Sequence, residues 1–188
     1  MKKIILGSNS PRRRELLAGL DLPFTVDTGN TFEEQLEPGV EAHAVPLHLS
    51  EGKSHGFHRP LEADEVLITA DTVVIVDSEV LGKPHSRAEA VSMLRRLSGR
   101  AHEVVTAVTL RDAVREESFS VSTQVHFVEL SQAEIDHYID KYRPYDKAGA
   151  YGIQEWIGYV GISSIEGSFY NVMGFPVHRI WHALQRFL

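Results

Sequence analysis

Cysteine occurs nowhere in the 188 residues, which removes disulfides, thiolate metal sites and a thiol nucleophile together. Any metal has to sit on oxygen or imidazole. No apolar run approaches the roughly 20 residues that span a bilayer. The apolar start Ile4-Ile5-Leu6 meets Ser8-Asn9-Ser10-Pro11-Arg12-Arg13-Arg14 before the core of a signal peptide can form. The expectation is a soluble, cytoplasmic chain that opens with a β-strand. A basic surplus is missing too: 19 Lys and Arg stand against 26 Asp and Glu, a net charge of −7. That argues against a sequence-independent nucleic-acid binder, which needs a broad positive surface. It leaves room for a small anionic ligand, because a local cluster of cations sets the potential within a cleft. Neither the P-loop nor the Gly-x-Gly-x-x-Gly fingerprint is present, and the 10 histidines are not gathered with carboxylates into a zinc-binding set.

What is present is an alternation of short apolar runs and helical spacings in one domain covering residues 1–188. Strands are expected at 3–7, 24–26, 66–70, 73–76, 104–110 and 119–128. Ser10-Pro11 reads as the cap and first residue of a helix carrying Leu16, Leu17 and Leu20, with Gly19 near its stop. Ser86-Arg87-Ala88-Glu89 and Ser131-Gln132-Ala133-Glu134 read as capping boxes. They open helices whose inner faces carry Val91, Leu94 and Leu97, and Ile135, Tyr138 and Ile139. Pro176 starts a last helix, running to the C-terminus with Ile180, Trp181 and Leu184 inward. Between Glu41 and Phe57, Pro46 and Gly52 interrupt a helical pattern and are expected to kink it. Only Asp77-Ser78-Glu79 separates two apolar runs, which suits a hairpin, so the α/β sheet should be mixed.

Three segments can carry chemistry, and each has a plain structural reading beside the functional one. Ser8 to Leu17 places hydroxyls before a helix and three arginines in its first turn, where the macrodipole disfavours cations. It is either a capped helix with solvated arginines or part of a polyphosphate site. Asp71 follows the apolar Val66-Leu67-Ile68-Thr69 at a strand end, as a cap or turn residue or as a metal ligand or general base. Lys83, between Gly82 and Pro84, is a hairpin exit or an ammonium aimed at phosphate. In Asp146 to Gln154, two glycines and two alanines permit close backbone approach. The Gln154 amide offers a donor beside an acceptor, the complement of the imide edge of uracil or thymine. Oxygen donors from Asp71 and from Glu33 or Glu34 suit Mg²⁺ or Mn²⁺.

In order along the chain, these segments resemble the Maf family. Ser8 to Leu17 is similar to its signature Ser-x-Ser-Pro-Arg-Arg-x-Glu-Leu-Leu. Ala70-Asp-Thr-Val-Val, Gly82-Lys-Pro, Thr106-Ala-Val, Asp146 to Gln154 and Gly167 to Pro176 follow in the family's sequence. The resemblance implies a Maf/ITPase-like α/β fold, with an elongated mixed sheet flanked by helices and two lobes around a central cleft. It implies hydrolysis of a nucleoside triphosphate between the α and β phosphates. By matching position, Asp71 is the general base, Ser10, Arg13, Lys53 and Lys83 face the phosphates, and Glu34 with Asp71 holds a divalent metal. Arg12, Thr72 and Gln154 match the positions tied to base selectivity. The block ending in Gln154 resembles the dTTP/UTP subgroup rather than the one acting on 7-methyl-GTP. Pairing into a homodimer is open to such a chain, as are pyrophosphatase action on other modified nucleotides and a role in septum formation exercised by nucleotide binding without catalysis. Asn9, Met173 and Phe175 depart from the common pattern away from this chemistry. Leu49 to Ser54 departs more, lacking the alanine-rich helix that usually precedes the lysine.

Overall fold

The computed structural model describes residues 2–34 and 39–188. Its first strand, β1 (Lys3–Leu6), is apolar on both faces, as suits a strand in the interior of a parallel sheet, and it is paired on both edges. Parallel to it run β2 (Phe24–Val26), in register Ile4 to Phe24, and β3 (Glu65–Val76), in register Ile4 to Val66. Between β1 and β2 lies α1 (Pro11–Ala18), capped by the Ser10 hydroxyl on the Arg13 N–H and closed at Gly19 as the sequence foretells.

A 3-10 turn at Ala42–Ala44 leads into α2 (Val45–His55). Pro46 does not kink this helix. It occupies the first turn, where its missing N–H costs nothing. Gly52 also does not interrupt it; a Cβ there would stand 2.3 Å from the Phe32 ring, so the glycine makes room for that ring.

The two runs expected at 66–70 and 73–76 are one continuous strand, β3, so Asp71 lies within a strand and not at its end. Thr69 and Val73 on either side are buried, and the pairing does not stop at the two polar residues between them. Beyond it, Asp77 and Ser78 adopt positive φ (52° and 63°), the geometry of a tight hairpin turn. They return the chain into β4 (Glu79–Leu81), antiparallel to β3.

The remaining elements are α3 (Arg87–Leu97), β5 (Ala101–Arg111), β6 (Glu116–Phe127), α4 (Gln132–Tyr142), a 3-10 turn at Ala148–Ala150, α5 (Trp156–Gly161), β7 (Ile162–Glu166), α6 (Phe169–Val172) and α7 (Val177–Leu184). Ser131 and Glu134 form the full reciprocal box at α4. At α3 the box is half made: Ser86 accepts from the Glu89 N–H, but the Glu89 carboxylate takes the His85 N–H. The sheet is mixed, in the order β2-β1-β3-β5-β6-β7, with β4 on β3. Sequence patterning misses α5, β7 and α6 because Gly158 and Gly161 break the helical signal and Ser163-Ser164 dilutes the strand.

The chain divides into two compact units. The first comprises Met1–Asp71, Thr106–Val121 and Gly174–Leu188; the second, Thr72–Val105 and Ser122–Met173. In the first, Leu17 from α1 and Ile180 and Leu184 from α7 meet Leu6, Val66, Ile68, Val108 and Leu110 of the sheet around Phe175. Each such side chain contributes about 1.5–3 kcal/mol by leaving water. Trp181 departs from expectation: it is 37% exposed, because Ile180 and Leu184 take the inward stripe of a helix that ends before the C-terminus. In the second unit, Ile135, Tyr138 and Ile139 of α4 are buried, as are Leu94 and Leu97 of α3, and Arg87 joins the two helices through Asp136 and Asp140.

Candidate active site

The first unit gathers four of the sequence-predicted residues, and the periodicities of helix and strand explain how. On α2, Ser50 and Lys53 are three residues apart and so share a face. On β3, Thr69 and Asp71 are two apart and share a face as well. Buried Ser50 hydrogen-bonds Thr69 reciprocally: its hydroxyl donates to the Thr69 carbonyl (3.3 Å), and the Thr69 hydroxyl donates to the Ser50 carbonyl (2.8 Å). Thr109 of β5 adds a third hydroxyl 2.9 Å from Ser50. With that bolt in place, one helical step brings Lys53 Nζ to 2.7 Å from Asp71 Oδ1.

Glu34 arrives on the other side of the same ammonium, its Oε1 2.9 Å from Lys53 Nζ. The segment that carries it is zipped onto the end of α2. Asn30 donates to the Lys53 carbonyl (2.6 Å), the Thr31 N–H donates to the Gly56 carbonyl (2.8 Å), and Asn30 bridges Phe57. Gly52 and Gly56 allow this approach, since a Cβ at Gly56 would stand 2.6 Å from Asn30 Oδ1 and 2.8 Å from the Phe32 nitrogen. Sequence reading left Lys53 weakly placed because the alanine-rich pattern is missing; the serines at 50 and 54 and the glycines at 52 and 56 are the signals that replace it. Ser54 is buried and accepts from Arg111 (2.9 Å). The ammonium also sits near the carboxyl end of α2, where the helix dipole favours a cation.

Arg13 is held from three directions. Its Nε donates to the Gly174 carbonyl (2.9 Å), and its Nη1 donates to the carbonyl of Ala70 (2.8 Å) and to Ser8 Oγ (3.3 Å). The guanidinium thus grips the backbone immediately before Asp71. Burial lowers its pKa from the ordinary arginine value, the Asp71 carboxylate opposes that shift, and Arg12 beside it adds to it. Arginine stays charged regardless. Ser10 spends its hydroxyl on the cap of α1, bonding the Arg13 N–H at 3.4 Å. Arg12 is half-buried on the same turn.

Thr72, Lys83 and Gln154 belong to the second unit. Lys83 is exposed, and the turn that bears it is tied to the small-residue loop by the Gly149 N–H on the Gly82 carbonyl (3.0 Å). Gly149 holds φ 68°, and a Cβ there would meet Val74 at 2.8 Å, so only glycine fits. Gln154 lines a pocket of about 380 Å³ with Ile153, Tyr159, Ile162 and Phe169, large enough for a pyrimidine ring. Its amide Oε1 is buried and finds no hydrogen-bond partner among the described residues. Sequence reading passed over Lys147, which is 8% exposed and lies between the Asp146 (2.8 Å) and Glu155 (3.2 Å) carboxylates. A lysine in a run of small residues, with an acid at either end of the loop, is the signal that marks it.

His178 and His182, four apart on α7, bring their ring centroids to 4.7 Å, but among the described residues no group of three or more His, Cys, Asp or Glu is placed to hold a metal ion.

The fold is of the HAM1 class of α/β proteins. The structure of a HAM1 protein from Coxiella burnetii aligns with a TM-score of 0.51 over 99% of this chain and 100% of its own, at 13% identity. The Staphylococcus aureus Ham1 protein gives 0.51 over 98% of each chain at 15% identity. Identities this low establish shared architecture only. Within that architecture the chain belongs to the family described as Maf-like protein, whose model it matches over residues 3–187. It is 51% identical to a dTTP/UTP pyrophosphatase of Porphyromonas gingivalis over 98% of this chain and 94% of that one. Against proteins of the same description from Phocaeicola vulgatus and Parabacteroides distasonis it is 48% and 46% identical, over 98% of this chain and 95% and 96% of theirs.

Proposed function

We propose that this protein hydrolyses dTTP and UTP to the nucleoside monophosphate and pyrophosphate. The observation that carries the reading is the convergence of Glu34, Lys53 and Asp71, with Arg13 gripping the Asp71 strand, in a chain half identical to proteins described as dTTP/UTP pyrophosphatases. Asp71 accepts a proton from water as its oxygen attacks the α-phosphorus; the bond to the α,β-bridging oxygen breaks, and pyrophosphate leaves with that oxygen. Such a transfer depends chiefly on positioning and charge neutralisation, which is the part assigned to Arg13, Lys53 and Lys83. Ser10 contributes by holding the start of α1 toward the phosphates.

Glu34 and Asp71 fit a hard divalent cation, Mg²⁺ or Mn²⁺: two carboxylates converge on one positive site, and these ions take one or two carboxylates and complete their shell with water and phosphate. When bound, the ion neutralises charge on the phosphate oxygens. Gln154 reads the imide edge of the base, with Arg12 and Thr72 as further selectivity positions. Among the described residues no helix is long and apolar enough to cross a membrane, and the reading places the protein with the nucleotide pool in the cytoplasm. Pyrophosphate release measured across dTTP, UTP, CTP and ATP, with Mg²⁺, with Mn²⁺ and with chelator, tests it. Turnover of dTTP and UTP that depends on the divalent ion is expected, and no release from either nucleotide refutes the reading.

A further inference from the structure

Gln154 is followed by Glu155 and preceded, two positions earlier, by Gly152, and one hydroxyl reaches both neighbours. Tyr138 projects from α4 with its ring fully buried. Its oxygen accepts the Gly152 N–H at 2.9 Å and donates to the Glu155 carboxylate. Burial, and then that carboxylate, push the Tyr138 hydroxyl above its ordinary pKa, so it remains a donor. Lys147 forms a second brace: its ammonium bridges Asp146 and Glu155, and its stem lies so close to Gly152 that a Cβ there would meet Lys147 Cε at 2.9 Å and Gln154 Nε2 at 3.0 Å. The side chain of Gln154 is thus set in a frame whose two ends are pinned by the same phenol.

Resting on the reading of Gln154 as the base selector, we propose that Tyr138 is a positioning residue for base selection, with its hydroxyl fixing where the Gln154 amide meets the pyrimidine. The buried amide oxygen of Gln154, without a partner among the described residues, accords with this, because such a group is kept at a cost unless an incoming partner satisfies it. A site built to hydrogen-bond its substrate discriminates only while its polar groups stay in register with that substrate.

The experiment compares kcat/KM for dTTP and CTP in the full-length protein, in Tyr138→Phe, in Gln154→Ala and in the double variant, with melting temperatures for each. Tyr138→Phe is expected to cut the dTTP preference by about tenfold, and in the double variant the preference should be no lower than in Gln154→Ala alone. A loss shared equally by both nucleotides, leaving the ratio where it was, marks Tyr138 as merely structural and overturns the proposal while Gln154 keeps its role. An unchanged ratio in Gln154→Ala removes the reading itself, and the proposal with it. Should Tyr138→Phe fail to fold, Glu155→Ala removes the carboxylate to which the hydroxyl donates. A several-fold fall in preference is then expected, and an unchanged ratio overturns the proposal.

Discussion

Lys53 Nζ stands 2.7 Å from Asp71 Oδ1, and the two residues meet because Ser50 and Thr69, one helical step and one strand repeat away, are hydrogen-bonded to each other. The pair is therefore a consequence of how α2 docks on β3. Glu34 shares the same ammonium, and the Arg13 guanidinium lies within electrostatic reach of both carboxylates.

Asp71→Asn preserves the shape of the side chain and removes its charge and basicity. The rate of pyrophosphate release from dTTP is expected to fall by at least about 100-fold, the range for lost general-base catalysis. Near-normal turnover would take Asp71 out of the mechanism.

Gly56→Ala puts a methyl group 2.8 Å from the Phe32 backbone nitrogen, two residues before Glu34. The strand-like segment has to move, so we expect a loss of about 1–3 kcal/mol by overpacking, together with a higher Mn²⁺ concentration for half-maximal activity. Urea melts and metal titrations measure the two effects separately. A variant with lowered stability and wild-type metal dependence would show that this segment does not deliver Glu34 to the site.

His102 supplies a pH test of the second unit. Buried beside Tyr151, whose hydroxyl lies 2.6 Å from its Nε2, it is held neutral by desolvation, with the nearby His126 adding to the shift, down to about 4 from the ordinary 6.5. The unfolded chain takes up a proton near 6.5 and the folded one resists until about 4. Stability from this residue is therefore complete above the upper value and is lost as pH falls through that window. His102→Gln keeps a polar partner for Tyr151 without titrating, and should flatten the dependence of the urea midpoint between pH 7 and 4.5. Identical slopes in the two proteins would contradict the assignment.

Gln154→Glu exchanges an amide donor for a second acceptor against the imide edge. Preference for dTTP and UTP over CTP is expected to drop by about tenfold or more. Equal use of all pyrimidines by the wild-type protein, or an unaltered preference in the variant, would defeat the imide model.

How much of this was legible beforehand depends on distance along the chain. The Ser10 and Ser131 caps, the buried stripe of α4 and the Asp77-Ser78 hairpin are written in neighbouring residues, and local rules suffice to find them. Asp71 stands out in the sequence as a polar residue amid apolar ones, and the local pattern ends its strand there. Only pairing with the rest of the sheet carries β3 through two polar positions.

By itself the sequence determined the alternation of helix and strand, the absence of any cysteine chemistry and the membership of the chain in its family. The tertiary structure alone decided that Gly52 and Gly56 are landing points for the segment bearing Glu34, that Lys53 bridges two acids, and that Tyr138 frames Gln154. The reason is physical: caps and periodicities act within a few residues, whereas an ion pair or a phenol contact across 14 to 18 positions exists only once burial has brought the elements together.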